Sequence, residues 1–365
     1  MQGNGLILAI NPGSTTTKLG LFAEDSMRWM CNLRHSDADM KQFAGRPMLD
    51  QIEFRSQAIT AELARRLVAS KHFSAVVGRG GLLRSVPSGT FRINQLMLDE
   101  LRAAERGDHA SNLGAPLAAA FAALANCPAF IVDPVSVDEW PPVARLSGCA
   151  ALERPCLSHA LNTKAVAKRF AREQRKPYES LRLIVAHLGS GISVSAHEDG
   201  RMIDVTNSRE EGAFSTERAG GVPAMKLVDW CFSGKVTRQE VEKALIRGGG
   251  LASYLGTKDL AEVERMMEDG SDRERTAKAR LVGIAMAYQI AKEIGAYATV
   301  LKGKVDAILL TGGMANSEKL VFELTRRTEW IAPIHVYPGE DELQALAEGA
   351  FRVLRGEEAA REFGS

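Results

Sequence analysis

One pattern of hydrophobic and polar residues occurs twice along the chain. In the first copy, apolar residues at 7–10 and 19–22 flank a polar turn at 11–18. In the second copy, an apolar run at 184–186 and a second short run from Ile192 flank a turn containing Gly189, Ser190 and Gly191. Each copy predicts a tight β-hairpin. Two such turns suit the phosphates of one nucleotide, so the duplication predicts an enzyme that uses ATP.

Strand-like and helix-like segments alternate through the rest of the chain. The patterns predict strands at 74–77, 129–132, 307–310 and 334–337, an alanine-rich helix from Leu113, and further helices at 52–70, 162–175, 222–232, 237–247, 259–267, 273–302, 318–328 and 342–354. This alternation predicts an α/β fold with helices packed on mixed sheets.

The length of the chain predicts two domains, because 365 residues exceed what one hydrophobic core usually supports. We place the first domain at residues 1–150 plus 338–365 and the second at residues 151–337. The longest apolar stretch, residues 113–132, is rich in alanine and is interrupted by Asn126 and Pro128. It therefore predicts a buried helix followed by a strand rather than a membrane span.

The composition of the chain argues against proteins that bind nucleic acid, anionic membranes or zinc. The 46 basic and 45 acidic residues nearly cancel, so no overall charge would attract nucleic acid or an anionic membrane. The five cysteines form no C-x-x-C pair, which favours reduced thiols and a cytoplasmic location. The His and Cys residues also lack the spacing of a zinc site.

The first turn carries groups that suit phosphate. Gly13 allows close approach of the backbone to a ligand, while Ser14, Thr16 and Lys18 offer hydroxyl donors and a cation. The turn is not a Walker A loop, because it lacks the second glycine before the lysine. A polar hairpin turn without a ligand is the alternative, and the second copy favours the phosphate interpretation.

Two further features involve glycine. A third glycine-bearing turn follows an apolar strand, and two arginines lie in glycine-rich turns. Gly312 and Gly313 end a predicted strand, as the glycines of the second hairpin do. Arg79 and Arg218 lie in glycine-rich turns, where an arginine can neutralise charge on a transferring phosphoryl group. A solvated surface arginine is the alternative at each position.

Three more side chains are candidates for chemistry. Asp133 directly follows a predicted strand, which places a carboxylate at the carboxyl end of a sheet, where ligands and metals collect. A helix cap or turn former is the alternative. His109 and His159 can each donate a hydrogen bond to a phosphoryl oxygen, or each can be a structural histidine.

These motifs together resemble those of the acetate and butyrate kinases, members of the superfamily of acetate and sugar kinases, actin and heat-shock chaperone ATPases. The resemblance runs in order over nearly the whole chain and rests on NPGSTTTK (11–18), HASNLG (109–114), VDPV (132–135), HALN (159–162), HLGSGIS (187–193), ERAGGVP (217–223) and LTGG (310–313). Asp133-Pro134 and the Ala-Leu-Asn after His159 resemble the butyrate kinase branch.

The resemblance implies a fold and a set of residue roles. The fold is two duplicated actin-like ATPase domains, of the ribonuclease H-like kind, with a nucleotide cleft between them and nucleotide-binding helical insertions in the second domain. Arg79, Arg218, His159, Asp133 and His109 form the implied catalytic set. Mg²⁺ is implied at Asn11, Asp133 and an acid among Glu340, Asp341 and Glu342, with Glu342 as first choice. The implied ATP or ADP contacts are Asn11, Ser14, Thr16, Lys18, His187, Gly189, Ser190, Gly191, Asp259, Gly312, Gly313 and Asn316.

The activity that follows is reversible phosphorylation of a short-chain carboxylate by Mg-ATP. Butyrate or a branched relative is expected, because Gly80 and Gly81 leave the space beside Arg79 without side chains and so predict a roomier acyl pocket. Ser158 and Ser190 depart from the family pattern. The alternatives are an acetate or propionate kinase, a nucleotide-gated actin-like or chaperone-like ATPase, and a sugar kinase in which Asp133 is a general base. The family also implies a homodimer or higher homo-oligomer.

Overall fold

The computed structural model describes residues 5–24 and 26–364 and divides into two compact units. The first unit takes in the chain up to Asp138, the short segment Ala160–Asn162 and the chain from Asp341 onward. The second unit comprises Glu139–His159 and Thr163–Glu340. Each unit is built around its own sheet.

The elements of the described residues alternate as the sequence predicts. The strands are β1 (Leu6–Pro12), β2 (Thr16–Ala23), β3 (Ser26–Arg34), β4 (Phe73–Arg79), β5 (Thr90–Arg92), β6 (Ala129–Val132), β7 (Leu183–Leu188), β8 (Ile192–Glu198), β9 (Arg201–Val205), β10 (Ala307–Gly312), β11 (Ile334–Pro338) and β12 (Arg361–Glu362). The helices are α1 (Asp37–Lys41), α2 (Ile52–Arg65), α3 (Gln95–Ala103), α4 (Gly114–Ala125), α5 (Pro142–Arg145), α6 (Ala160–Glu173), α7 (Ala224–Cys231), α8 (Arg238–Ile246), α9 (Gly250–Leu255), α10 (Leu260–Glu268), α11 (Arg273–Val300), α12 (Glu318–Thr328) and α13 (Glu342–Leu354). Single 3₁₀ turns lie at Met48–Gln51, Ser70–His72, Ala110–Leu113, Tyr178–Ser180 and Gly313–Asn316.

The first unit has a seven-stranded mixed sheet in the order β12-β5-β6-β4-β1-β2-β3. Strands β1, β4 and β6 are parallel, while β2 pairs antiparallel with β1. Leu8 and Ile10 of β1 pack in a core with Ile59 of α2 and Leu117 of α4. Helix α13 also packs on β1, so the central strands are covered by helices and their residues are buried.

The second unit has a five-stranded sheet in the order β11-β10-β7-β8-β9. Strand β10 runs parallel to both β7 and β11, and β8 returns antiparallel to β7. Alternate residues of β7 point to opposite faces of the sheet. Ile184 and Ala186 join the core of the long helix α11, whereas Leu183 and Val185 pack with α6 residues such as Phe170.

The structure confirms the α/β fold and both hairpins. The strand at 129–132 and the helices at 318–328 and 342–354 have the predicted bounds. The helix predicted at 52–70 is too long, because it ends at Arg65 and the backbone becomes left-handed at Leu67, with φ of 57°. None of the helices among the described residues is long and apolar enough to cross a membrane.

Candidate active site

The carboxyl ends of three parallel strands place predicted site residues at one edge of the first sheet. Asn11 lies near the end of β1, Arg79 ends β4, and Asp133 follows β6. Because β1, β4 and β6 are parallel neighbours, their carboxyl ends lie at the same edge. The structure therefore brings these three strand ends together as the sequence predicted for Asp133.

Glu342, the first residue of α13, joins two of these side chains in one polar cluster. Its carboxylate accepts a hydrogen bond from Asn11 Nδ2. Arg79 Nη1 lies 3.2 Å from the same carboxylate and 3.4 Å from Asn11 Oδ1. Asn11 and Glu342 are buried, while the Arg79 side chain is 23% exposed. The arginine thus balances a buried carboxylate and still reaches solvent.

Asp133 is held in a different way from Glu342. Its Oδ1 accepts hydrogen bonds from Ser88 Oγ at 2.6 Å and from Gly89 N at 2.8 Å. The residue is buried and has a positive φ of 37°, which is uncommon for a residue other than glycine. Such backbone strain is concentrated at functional sites, and here it fixes a carboxylate at the sheet edge.

The turn after Arg79 is held by the HASNLG segment. Asn112 is fully buried, and its Oδ1 accepts from Leu82 N at 2.9 Å while its Nδ2 donates to Gly107 O at 3.0 Å. A Cβ at Gly114 would lie 2.2 Å from Arg79 O, so only glycine allows α4 to approach this strand end. The segment therefore positions Arg79.

His109 caps the 3₁₀ turn at the start of this segment. Ser111 N donates to His109 Nδ1 at 3.2 Å, and Ser111 Oγ lies 2.9 Å from the same nitrogen. Because Nδ1 accepts, the neutral ring carries its proton on Nε2. The catalytic role expected for His109 stays a prediction beside this observed capping role.

Gly80 and Gly81 do not border open space, so the prediction that they create a roomier acyl pocket is wrong. A Cβ at Gly80 would lie 2.4 Å from Pro134 Cβ, and one at Gly81 would lie 2.6 Å from Asn112 Oδ1. The space beside these glycines is thus filled by protein atoms. The glycines allow close packing behind Arg79 and carry no information about the length of the acid.

The first hairpin turn presents exposed polar residues. Ser14 and Lys18 are exposed and Thr16 is half-buried. Gly13 N donates to Thr16 O at 2.8 Å, which closes the turn, and Lys18 stands opposite Asn11 in the β1–β2 register. Arg55 of α2 binds the inner side of this turn. Sequence reasoning missed Arg55, because an isolated arginine in an amphipathic helix carries no pattern.

Two stacked histidines form the centre of the site in the second unit. The rings of His159 and His187 lie 3.9 Å apart at an interplanar angle of 13°. His159 Nδ1 lies 3.0 Å from Ser193 Oγ, and His187 Nε2 lies 3.1 Å from Glu340 Oε1. The stack and these two partners fix the ring plane of His159. Ser193 and Glu340 are partners that sequence reasoning did not assign to the histidines.

The second hairpin turn packs against Arg218. A Cβ at Gly191 would lie 2.5 Å from Arg218 Nη1. The same nitrogen donates to Ser208 Oγ at 2.8 Å and Ser208 O at 3.2 Å, whereas the buried Arg218 Nε has no hydrogen-bond partner. Burial lowers the pKa of Arg218. The guanidinium is therefore a half-buried cation held by neutral oxygens.

The rest of this turn is also tied to the Arg218 segment. Ser190 is exposed, and its carbonyl accepts from Ser215 Oγ. Ser215 Oγ in turn accepts from Arg218 N at 3.1 Å. A Cβ at Gly189 would lie 2.9 Å from His187 Nε2. The turn is thus built around Arg218 and His187.

Other implied ATP or ADP contacts lie elsewhere in the second unit. Gly312 has φ of 93°, and a Cβ there would lie 2.4 Å from Leu188 O, so this glycine lets β10 approach the end of β7. Gly313 faces open space, and Asn316 Nδ2 donates to Gly313 O at 2.9 Å. Asp259 caps α10 by accepting from Ala261 N at 2.9 Å. Their nucleotide contacts stay predictions.

The oxygen groups of the first unit fit magnesium better than a transition metal. Mg²⁺ takes oxygen ligands and usually keeps several waters, and Asn11, Asp133 and Glu342 offer amide and carboxylate oxygens. Among the residues that the structure describes, no group of three or more His, Cys, Asp or Glu side chains could hold a metal ion. Few protein ligands plus water and phosphate would therefore complete the ion's shell.

Comparison with known proteins gives the class of enzyme. The model of the acetokinase family matches residues 156–336. This match identifies a phosphotransferase with a carboxyl group as acceptor, as the sequence motifs predicted. It covers most of the second unit, including His159, His187 and Arg218.

Solved structures show the same fold at low identity. An acetate kinase from Porphyromonas gingivalis aligns with a TM-score of 0.79 and 17% identity, over 96% of this chain and 100% of that chain. An acetate kinase from Entamoeba histolytica aligns with a TM-score of 0.75 and 14% identity, over 95% and 99% of the two chains. A propionate kinase from Francisella tularensis aligns with a TM-score of 0.71 and 17% identity, over 94% and 98%. These similarities confirm the predicted fold.

Proposed function

We propose that this chain transfers the γ-phosphoryl group of Mg-ATP reversibly to a short-chain carboxylate, with butyrate or a branched relative as the preferred acid. A carboxylate oxygen forms the new bond to γ-phosphorus while the bond from γ-phosphorus to the ADP oxygen breaks, which gives acyl phosphate and ADP. The Asp133-Pro134 and Ala-Leu-Asn motifs support the butyrate branch. Acetate and propionate are the alternative acids.

The observation that carries the proposal is the state of Arg218. Its half-buried guanidinium packs against Gly191 and is bonded to Ser208 and, among the described residues, to no carboxylate. A half-buried cation without a carboxylate partner suits phosphoryl transfer, in which catalysis consists mostly of positioning and charge neutralisation. Arg79 offers a second cation in the first unit, where it pairs with Glu342 and still reaches solvent.

The remaining groups have roles that follow from their surroundings. Asn11, Asp133 and Glu342 would hold Mg²⁺, which when bound screens the charge of the phosphates. His159, fixed by Ser193 and by the His187 ring, would donate to a phosphoryl oxygen. The acid is already ionised at pH 7 and needs no general base. The expected homodimer and cytoplasmic location stay predictions.

Trapping of acyl phosphate with hydroxylamine tests the activity. Mg-ATP is supplied with acids from acetate to hexanoate, and glycerol is the sugar-like control. We expect hydroxamate formation to be greatest with butyrate or isobutyrate. Equal kcat/KM for acetate and butyrate would contradict the acid preference. ATP hydrolysis without hydroxamate from any acid would instead indicate a nucleotide-gated ATPase.

Substitution of the two arginines tests the residue roles. We expect Arg79→Ala and Arg218→Ala each to lower kcat at least about a hundredfold, with modest change in the KM for ATP. Arg238→Ala is the control, because Arg238 is exposed and pairs only with Glu242 on its own helix in the described structure. Wild-type turnover in the first two variants would remove these arginines from the mechanism.

A further inference from the structure

Arg55 is a fully buried arginine whose five N–H groups all have acceptors. Gln51 Oε1 accepts from Nε at 3.0 Å and from Nη2 at 2.8 Å. Nη1 donates to Thr16 O at 2.8 Å and to Thr17 Oγ1 at 3.0 Å. Nη2 donates to Ser14 O at 3.0 Å. Helix α2 is thereby bonded to the inner side of the first hairpin turn.

The charge of Arg55 is not cancelled by a carboxylate within the part of the chain that the structure describes. Its five hydrogen bonds go to four acceptor atoms, all of them neutral, and the residue is 0% exposed. Burial lowers the pKa of Arg55 to about 10, so it still carries its proton near pH 7. Buried charges in proteins are normally paired. A negative charge supplied by a ligand would complete this pairing.

The backbone of the turn is arranged to receive that ligand. Arg55 binds the carbonyls of Ser14 and Thr16, and His35 N donates to Thr15 O at 2.9 Å. Three successive carbonyl oxygens of the turn thus accept hydrogen bonds from donors within the protein. These oxygens carry the partial negative charge of their peptide groups. The residues Ser14 and Thr15 are nevertheless exposed, so an anion can approach their hydroxyl groups.

We propose that Arg55 is a positioning residue for the nucleotide phosphates: it holds the Ser14 and Thr16 carbonyls in hydrogen bonds and places a buried positive charge behind the turn. The inference rests on the proposed function, because the anion is a phosphate of ADP or ATP. It goes beyond the exposed turn residues by assigning part of the phosphate affinity to a side chain that has no accessible surface.

Gln51→Glu isolates the charge from the geometry. The glutamate has the shape of glutamine and offers Arg55 an oxygen at the same place, but it adds the missing negative charge. Gln57→Glu is the matched control, because Gln57 lies exposed on α2, the helix of Arg55, and in the described structure donates to Glu53. Binding of MgADP is measured by calorimetry, and adenosine, which has no phosphate, is measured in parallel.

We expect Gln51→Glu to weaken MgADP binding about tenfold with an unchanged unfolding midpoint and unchanged adenosine binding. Gln57→Glu should bind MgADP as the wild type does. Wild-type MgADP affinity in Gln51→Glu would overturn the role of the Arg55 charge, while acyl phosphate formation by the wild type would leave the proposed function standing. A wild-type protein that binds no MgADP would overturn both.

Arg55→Lys tests the geometry. Lysine keeps the charge but offers three donors where Arg55 uses five, so it cannot keep all five hydrogen bonds that join α2 to the turn. We expect the KM for ATP to rise about tenfold and kcat at saturating ATP to change less than about threefold, because Arg79 and Arg218 are untouched. An unchanged KM for ATP, or a loss confined to kcat, would overturn the positioning role.

Discussion

Alanine in place of Gly191 should move the Arg218 guanidinium without removing any charge. The added Cβ would lie 2.5 Å from Arg218 Nη1 and 2.8 Å from Cζ. Non-bonded atoms of this kind rest at about 3.5 Å, so the guanidinium must shift by about 1 Å. That shift also breaks or weakens its two hydrogen bonds to Ser208.

The expected loss of activity is much larger than the loss of stability. A misplacement of about 1 Å at a reacting centre costs about a hundredfold in rate, or about 2.7 kcal/mol of transition-state stabilisation. The atoms that the Cβ meets belong to the end of a flexible side chain. The fold can therefore accept the methyl group by moving Arg218, and the unfolding midpoint should change little.

The measurement is kcat for hydroxamate formation at saturating ATP and acid. Gly295→Ala is the control, because a Cβ at Gly295 in α11 has no neighbour within 4 Å. Gly191→Ala should also have no further effect in an Arg218→Ala background, because residues that act as a unit are not additive. Turnover within threefold of wild type for Gly191→Ala, or a full additional loss in the double variant, would refute the reasoning.

Three other perturbations have defined outcomes. Glu342→Gln should raise the Mg²⁺ concentration for half-maximal activity about tenfold, since it removes the carboxylate charge beside Asn11 and Arg79. An unchanged Mg²⁺ dependence would place the ion elsewhere. Burial and the Lys164 cation lower the pKa of His197. Below about pH 6.5 the unfolded chain therefore binds more protons than the folded chain, and the free energy of unfolding should fall by up to about 1.4 kcal/mol per pH unit. Urea titrations at several pH values should show that this free energy depends less steeply on pH in His197→Gln, and the same dependence in both proteins would contradict this. Gly81→Ala should destabilise the protein by about 1–3 kcal/mol and lower activity equally for all acids, whereas a changed acid preference would restore the open-pocket argument.

The sequence predicted many but not all of the elements whose side chains enter a core, because helix α3 was missed although its Met97 and Leu101 are fully buried. Helices α12 and α13 and strand β6 have strongly apolar faces, and their bounds agree with the predictions. Strand β3 was missed because its residues are only exposed or half-buried, so no apolar run marks it. Strands β5 and β12 are three and two residues long, which is shorter than any reliable hydrophobic period.

The site was predictable as a set of motifs but not as a set of contacts. Asn11 and Glu342 are hydrogen-bonded although 331 positions separate them in the chain. The sequence selected both residues through a family resemblance and had no means to pair them. Glu340, assigned as one of three possible metal acids, pairs with His187, a contact that the sequence did not indicate. Hydrophobic periodicity indicates which face of a helix or strand a residue occupies. Which distant residues form a hydrogen bond depends instead on how the elements are arranged in the fold.

The glycines near the candidate site show why pairing matters for interpretation. A Cβ at Gly189 or Gly191 would collide with His187 or Arg218. At Gly81 it would collide with Asn112, which supports the turn after Arg79. Glycine is required at such a position because the functional side chain that packs against it leaves no room for a Cβ. Its substitution should therefore act through that side chain, which is the behaviour that the Gly191→Ala and Arg218→Ala pair measures.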